Sequence, residues 1–424
     1  MIIKPMVRNN ICLNSHPLGC AIATIQQIEF AKKNLQPKKG LTPKLALIIG
    51  CSNGYGLASR IAAAFGYGAA SVGIGLEKPP SEKHTATPGF YNNQTFDRQA
   101  SNAGLVSVTL NGDAFSDEMK ADTVLAVRKA AEKANIHAKI GLIVYSLASP
   151  VRTDPKTGIL HKSVIKPLGM PFSGISLNMM DGSMQPVNVE PATEEEVFNT
   201  VKVMGGEDWE LWIETLDKNG LLSPNARTVA YTYIGPEHTW PIYKNGTIGK
   251  AKEDLERTAI KINRKYRDSK KIDGAWVSVN KALVTKSSAV IPVIPLYVSC
   301  LFKVMKEMGL HEGCIEQIVR LYRDRLYAAG SVNPIMIPVD KEGRIRIDDW
   351  EMREDVQEAT AKKMLSVTSE NVFTETDIAG FKQDFFAAHG FEIQGIDYST
   401  GYNPLDCNPP DINPLDINRM EGVI

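Results

Sequence analysis

Along the chain, short runs of consecutive apolar residues alternate with longer stretches in which apolar positions recur every three or four residues. That is the pattern of buried parallel strands separated by amphipathic helices. The first such run, residues 45–49, empties into the glycine turn Gly50-Cys51-Ser52-Asn53-Gly54-Tyr55-Gly56, and a helical pattern follows over about 57–65. Further runs predict strands over 69–77, 104–110, 140–149, 226–235 and 274–280, with helices over about 117–134, 192–203, 207–218 and 248–265. Six strands alternating mainly with helices argue for an α/β chain built on a Rossmann-like, doubly wound parallel sheet with right-handed crossovers.

The rest of the pattern reads as additions to that sheet. Residues 1–42 form an N-terminal extension before the dinucleotide-binding core, 43–280. The polar stretch 78–100, with Pro79, Pro80 and Pro88-Gly89, reads as a long loop. At 150–190 the composition shifts to Pro, Gly, Ser and Met, with turns at 154–158 and 180–183, so an inserted β-ribbon is expected. Residues 281–400 read as a substrate lid with helices near 312–328, 354–365 and 381–388 and a small β element around 333–340 and 344–347. The apolar run 289–302, broken by Pro292 and Pro295, is either a pre-bent wall over a greasy substrate or a plain buried helix start. The tail 401–424 repeats Asn-Pro-Leu-Asp and is expected to pack poorly.

Composition narrows the partners. Lys plus Arg and Asp plus Glu are 48 each in 424 residues, so no net field recruits nucleic acid or an acidic membrane surface. A membrane-spanning helix needs about 20 apolar residues, longer than any apolar run here. The first eight residues lack the apolar core of a secretion signal, and six cysteines without a C-x-x-C spacing suit a reduced, cytoplasmic protein. No metal site is expected.

The chemistry lies at the strand ends. Gly50 and Gly54 can take positive φ, Gly56 lets the helix approach the strand, and the N–H groups at the helix start suit a pyrophosphate. Glu77, ending the second strand, can accept from the adenosine ribose hydroxyls and repel a 2′-phosphate, which favours NAD over NADP. Asp113 is either an acceptor for the adenine amino group or the N-cap of the next helix. Small residues after the fourth strand leave room for a nicotinamide ribose. For proton transfer, the fifth strand delivers Tyr233 and, beyond it, Tyr243. Neither has a lysine four residues on, but Lys252 lies nine beyond Tyr243, and the two can meet only if Tyr243 precedes a helix that starts near Gly246, with Thr247 as its N-cap.

Five motifs together, the turn at 50–56, Tyr145–Asp154, Met204–Trp209, Gly246–Lys252 and Tyr243-x8-Lys252, resemble the FabV-type enoyl-ACP reductase and trans-2-enoyl-CoA reductase family over about residues 1–398. The resemblance implies a fold of the extended short-chain dehydrogenase type and NADH-dependent reduction of the 2,3 double bond of an enoyl-CoA or enoyl-ACP. It implies Tyr243 as proton donor and Lys252 beside it, with Tyr233 touching the substrate. The implied NAD contacts are Gly50, Cys51, Ser52, Asn53, Gly54, Tyr55, Leu76, Glu77, Asp113, Ala114, Leu147, Ala148, Lys252, Leu283, Val284 and Thr285. Lys252 is also expected to make the tyrosine more acidic. The chain is expected to act as a monomer or homodimer. Two other readings stay open: a non-catalytic dinucleotide-binding regulator, and a short-chain alcohol dehydrogenase acting on C=O.

Overall fold

The computed structural model describes residues 1–8, 11–285, 294–328 and 337–405. The chain opens with a small antiparallel pair, β1 (Val7–Arg8) and β2 (Ile11–Cys12), then α1 (Pro17–Asn34), whose Pro17 occupies the first turn and whose His16 accepts from the Gly19 N–H as N-cap. The strands β3 (Leu45–Ile49), β4 (Ala70–Gly75) and β5 (Ser107–Asn111) alternate with α2 (Gly54–Ile61), α3 (Pro88–Asn102) and α4 (Asp117–Lys133). After β6 (Ile140–Tyr145) come two hairpins, β7 (Val151–Thr153) with β8 (Leu160–Lys162) and β9 (Phe172–Leu177) with β10 (Met184–Val189). Next are α5 (Glu194–Met204), α6 (Glu207–Lys218), β11 (Leu222–Thr232), α7 (Thr247–Ile262) and β12 (Gly274–Val279). The chain continues through α8 (Ile294–Glu307), α9 (Cys314–Leu321), β13 (Ile345–Arg346), α10 (Glu354–Ser366), α11 (Val372–Glu375) and α12 (Ile378–Ala387).

Seven strands join in one all-parallel sheet in the order β13-β12-β11-β6-β3-β4-β5. The order reverses between β3 and β6, and that switch point opens a crevice at the carboxyl ends of the strands. Every residue of β3, β4 and β12 is buried, as a sheet covered on both faces requires. Two apolar clusters fill the faces, one with Leu57, Ile61, Phe96 and Tyr322, the other with Val127, Trp209, Trp212 and Ile262. A third cluster, of Tyr243, Leu283, Tyr297, Phe302, Phe381 and Phe385, lies outside the sheet and builds the wall beside the crevice.

The expected doubly wound sheet is present, and the ribbon insertion resolves into two hairpins with turns at the expected places. Four details differ from the sequence reading. The stretch 78–100 is not one loop: α3 takes 88–102, starting at Pro88, because Tyr91, Phe96 and Ala100 supply a buried face that its polar composition hides. The N-cap of α4 is Ser116, which accepts from the Met119 N–H, so Asp113 does not cap it. Gly246, not Thr247, caps α7; the Thr247 hydroxyl instead donates to the Val164 carbonyl at 2.5 Å and ties the helix to the loop before β9. The sheet also takes a seventh strand, β13: the small β element expected at 344–347 forms, but it joins the main sheet beside β12 instead of standing apart from the six expected strands. Within the tail, 401–405 is held, with backbone hydrogen bonds between Tyr402 and Met1. The rest of the tail, the first five residues of the apolar run (289–293) and residues 333–336 lie outside the described residues.

Candidate active site

The glycine turn sits at the switch point. Gly50 has φ +88 and Gly54 φ +52, conformations that disfavour a side chain. A Cβ on Gly50 would come within 2.2 Å of the Ser146 carbonyl oxygen, and one on Gly56 within 1.8 Å of the Gly50 carbonyl oxygen. The turn is thus pressed against the end of β6 and folded back on itself, leaving a concave cradle at the start of α2. Leu147 lies against Gly50, 3.3 Å from the built Cβ, and Thr285 faces Gly54 at 3.8 Å from its built Cβ. Tyr55 donates its hydroxyl to the Lys281 carbonyl at 3.0 Å. Residues 50–56, 146–147 and 281–285, far apart in sequence, therefore meet around one turn.

Glu77 closes the far side of this cradle. Its Oε1 accepts from Ser52 Oγ at 2.5 Å and Asn53 Nδ2 at 3.1 Å, and its Oε2 accepts from the Thr87 hydroxyl. Three of about four acceptor positions are thereby taken, and one on Oε2 is left for a further donor. Asn111 at the end of β5 brackets the Glu77 backbone, accepting from its N–H and donating to its carbonyl. Leu76 is exposed beside it. Asp113 is exposed, with Oδ1 accepting from the Phe115 N–H. The Ala114 carbonyl is held from below by Lys120 Nζ, which also donates to the Phe115 carbonyl and forms a buried ion pair with Asp208 at 2.8 Å. Tyr145 donates to the same Asp208, so one carboxylate braces both the 113–115 turn and the end of β6 that leads to Leu147 and the exposed Ala148.

At the end of β11 the candidate reacting groups gather. Tyr243 lies in the turn before α7, as its spacing from Lys252 demands; its carbonyl accepts from the Gly246 and Gly249 N–H groups. Lys252, one helical turn into α7, donates Nζ to the Tyr231 carbonyl at 3.2 Å, and no carboxylate pairs with it among the described residues. Burial lowers its pKa to about 8. The Tyr243 ring stands edge-on to the Tyr233 ring, centroids 5.2 Å apart. Burial alone raises the pKa of Tyr243, and no lowering by Lys252 offsets it, contrary to the expected acidifying effect. The two tyrosines differ in their hydroxyls. Tyr233 donates to Glu351 Oε1 at 3.0 Å, whereas the Tyr243 hydroxyl has no hydrogen-bonding protein partner among the described residues.

Glu351, Tyr297, Lys120 and Asp208 escaped the sequence reading. Asp208 lies inside the Met204–Trp209 motif, a signal that was available; Glu351 sits among ordinary acids at 348–351 with nothing local to distinguish it.

A doubly wound parallel sheet with a glycine cradle at its switch point and a tyrosine and lysine at a neighbouring strand end defines a dinucleotide-binding α/β protein. Family models agree in detail: the trans-2-enoyl-CoA reductase catalytic region matches residues 84–327, the NAD(P)H binding domain of trans-2-enoyl-CoA reductase matches 2–82, and an enoyl reductase FAD binding domain matches 339–401. The chain belongs to the trans-2-enoyl-CoA reductase family. It is 56% identical over 409 residues to the NADH-dependent trans-2-enoyl-CoA reductase of Treponema denticola, covering 96% of this chain and 100% of that one. It is 50% identical over 406 residues to the NADH-dependent enoyl-[acyl-carrier-protein] reductase of Flavobacterium johnsoniae, covering 95% and 98%. The crystal structure of the Treponema denticola trans-2-enoyl-CoA reductase in complex with NAD superposes with a TM-score of 0.88, covering 95% of this chain and 98% of that one.

The cradle fits a dinucleotide: its glycines leave room that any Cβ would fill, and Glu77 keeps one acceptor position. A flavin finds no such fit at 339–401. There the inward side chains Val356, Phe381, Phe385 and Phe386 are spent on the third apolar cluster, and no strand-to-helix glycine turn occurs among the described residues.

Proposed function

We propose that the chain reduces the 2,3 double bond of trans-2-enoyl thioesters, carried by coenzyme A or acyl carrier protein, to saturated acyl thioesters in fatty acid metabolism, with NADH as cofactor. Residues 50–55 would hold the pyrophosphate, Leu76, Glu77, Asp113 and Ala114 the adenosine, and Leu147, Ala148, Lys252 and 283–285 the nicotinamide end. Bound NADH supplies the hydride that adds to C3 of the enoyl group. Electrons then move onto the thioester oxygen, and a donor placed at that oxygen lowers the barrier. Tyr243 is that donor in this reading, and its proton, or one relayed by water, ends on C2. Its raised pKa keeps it protonated until the enolate forms. Lys252 binds the nicotinamide ribose and brings positive charge to the site, and Tyr233 lines the substrate side.

The observation that carries the reading is the Tyr243 hydroxyl: set in an apolar cluster at the crevice and unengaged by the protein among the described residues, it is free for a substrate oxygen. The chain's own residues supply every group named, so the reading asks for no second copy, and both a monomer and a homodimer satisfy it. Free, mostly buried cysteines suit a cytoplasmic setting, and among the described residues no helix is long and apolar enough to cross a membrane. Functionally, 43–280 carries the dinucleotide, 281–400 covers the substrate, and 1–42 and 401–424 are appendages.

The test is loss of NADH absorbance with crotonyl-CoA. Turnover dependent on both is expected. NADH binding without turnover would favour a regulator, and oxidation of NADH by ketones or aldehydes but not crotonyl-CoA would favour an alcohol dehydrogenase.

A further inference from the structure

Glu351 has no role in the chemistry above, yet it stands where the substrate side and the cofactor side of the site join. It is completely buried, with 0% exposure. Its Oε1 accepts from the Tyr233 hydroxyl at 3.0 Å and from the Tyr297 hydroxyl at 2.6 Å; its Oε2 accepts from the Ala282 N–H at 2.7 Å. Gln357 braces the arrangement, donating to the Tyr297 hydroxyl at 3.2 Å and to the Glu351 carbonyl at 2.7 Å. Donors from the end of β11, from α8 and from the segment after β12 thus converge on one carboxylate.

The Ala282 N–H and the two tyrosine hydroxyls all face these two oxygens, an arrangement that suits the ionised carboxylate. Burial opposes that charge and pushes the Glu351 pKa up, while the neighbouring Lys281 acts in the other direction. The Ala282 N–H leads directly into 283–285, whose Thr285 faces Gly54 of the dinucleotide turn. Tyr233, for its part, stands edge-on to Tyr243. The geometry points to Glu351 as a positioning residue: through Tyr233 it fixes the enoyl side of the site and through Ala282 the cofactor side, so that one carboxylate sets the spacing of the two reactants. With its hydrogen turned to Glu351, Tyr233 offers the substrate its ring and oxygen lone pairs but no proton. The inference rests on the enoyl-thioester reading for its substrate arm; its cofactor arm needs only NADH binding.

A double-mutant cycle in the full chain tests it. Glu351→Leu, which leaves three buried donors without their acceptor, is expected to raise the crotonyl-CoA KM about tenfold and the NADH dissociation constant about fivefold, with kcat changed less than either. In a Tyr233→Phe background the same substitution should lose most of its effect on the crotonyl-CoA KM and keep its effect on NADH, a split that general loosening of the fold would not produce. Equal KM increments in both backgrounds, or an unchanged NADH constant, would overturn the assignment. Should circular dichroism show Glu351→Leu unfolded, Glu351→Gln takes its place: one acceptor oxygen for three donors should raise at least one of the two constants by about threefold, and leaving both within about twofold overturns it. A parent chain that binds NADH but never turns over crotonyl-CoA would instead defeat the enoyl-thioester reading, and the NADH arm would still decide the role of Glu351.

Discussion

The proposed adenosine end and the proposed reacting end of the crevice are built on opposite terms. At the adenosine end Glu77 accepts from Ser52, Asn53 and Thr87, Asn111 brackets its backbone, and Lys120 with Asp208 props the 113–115 turn. At the proposed reacting end, among the described residues, the Tyr243 hydroxyl has no hydrogen-bonding partner and Lys252 Nζ has a single carbonyl. In the proposed reading, groups that hold the cofactor in place have most of their positions filled by partners, and groups that change partners during a turnover are left short of them. Tyr233 belongs with the first kind although it touches the second, because Glu351 has claimed its hydrogen.

Removing the unsaturated groups should break the contrast most severely. Tyr243→Phe keeps the ring and deletes the donor, so kcat should fall by about two to three orders of magnitude with NADH affinity little changed. Tyr233→Phe should mainly raise the enoyl KM; a collapse of kcat there, with near-normal kcat in Tyr243→Phe, would exchange the two roles. Next in size, Lys252→Met should lower kcat and weaken NADH together, by about tenfold each, since it removes both the proposed ribose contact and a charge.

The same lysine predicts a pH limb. Because burial lowers Lys252 to about 8, the free enzyme loses this positive charge as pH rises through that value, and kcat/KM for NADH should fall there. A Lys252→Met enzyme should lack the limb; its persistence would assign the titration elsewhere. A single effect, on cofactor choice alone, belongs to the well-partnered end. Glu77→Ala should narrow the preference for NADH over NADPH by about tenfold through lost repulsion of the 2′-phosphate, and unchanged discrimination would remove Glu77 from cofactor choice.

The same contrast explains what could be read from the sequence. The turn 50–56, Glu77 and Asp113 are legible because each follows its strand directly, so local spacing places it at the crevice. Tyr243 and Lys252 were legible because a nine-residue separation forces a helix break between them. Glu351 was not: it reaches Tyr233 across 118 residues of sequence and Ala282 across 69, and no local periodicity encodes that meeting. Helix α3 was hidden for a related reason, since its buried Asn92 and Asn93 read as loop residues until Ser52, Asn53 and Cys51 are seen to engage them.

The two-residue strand β13 bears on how the chain reaches this state. In an all-parallel sheet no ladder closes through a tight hairpin, so every strand pair must wait for a crossover, and loop-closure entropy is lost before any ladder bond is gained. β3 and β4, joined by the shortest crossover, are placed to pair first, whereas β13 docks on β12 through two residue pairs, Ser278 with Ile345 and Val279 with Arg346, and the Ile347 and Asp348 N–H groups that follow it donate to the Val279 carbonyl. Gln317 and Arg320 then clamp the Ile347 carbonyl from α9, and Glu351 follows four residues later. Refolding should therefore pair β3 with β4 early and bring in β13 and Glu351 late, so that weak NADH binding returns before full NADH affinity and turnover do.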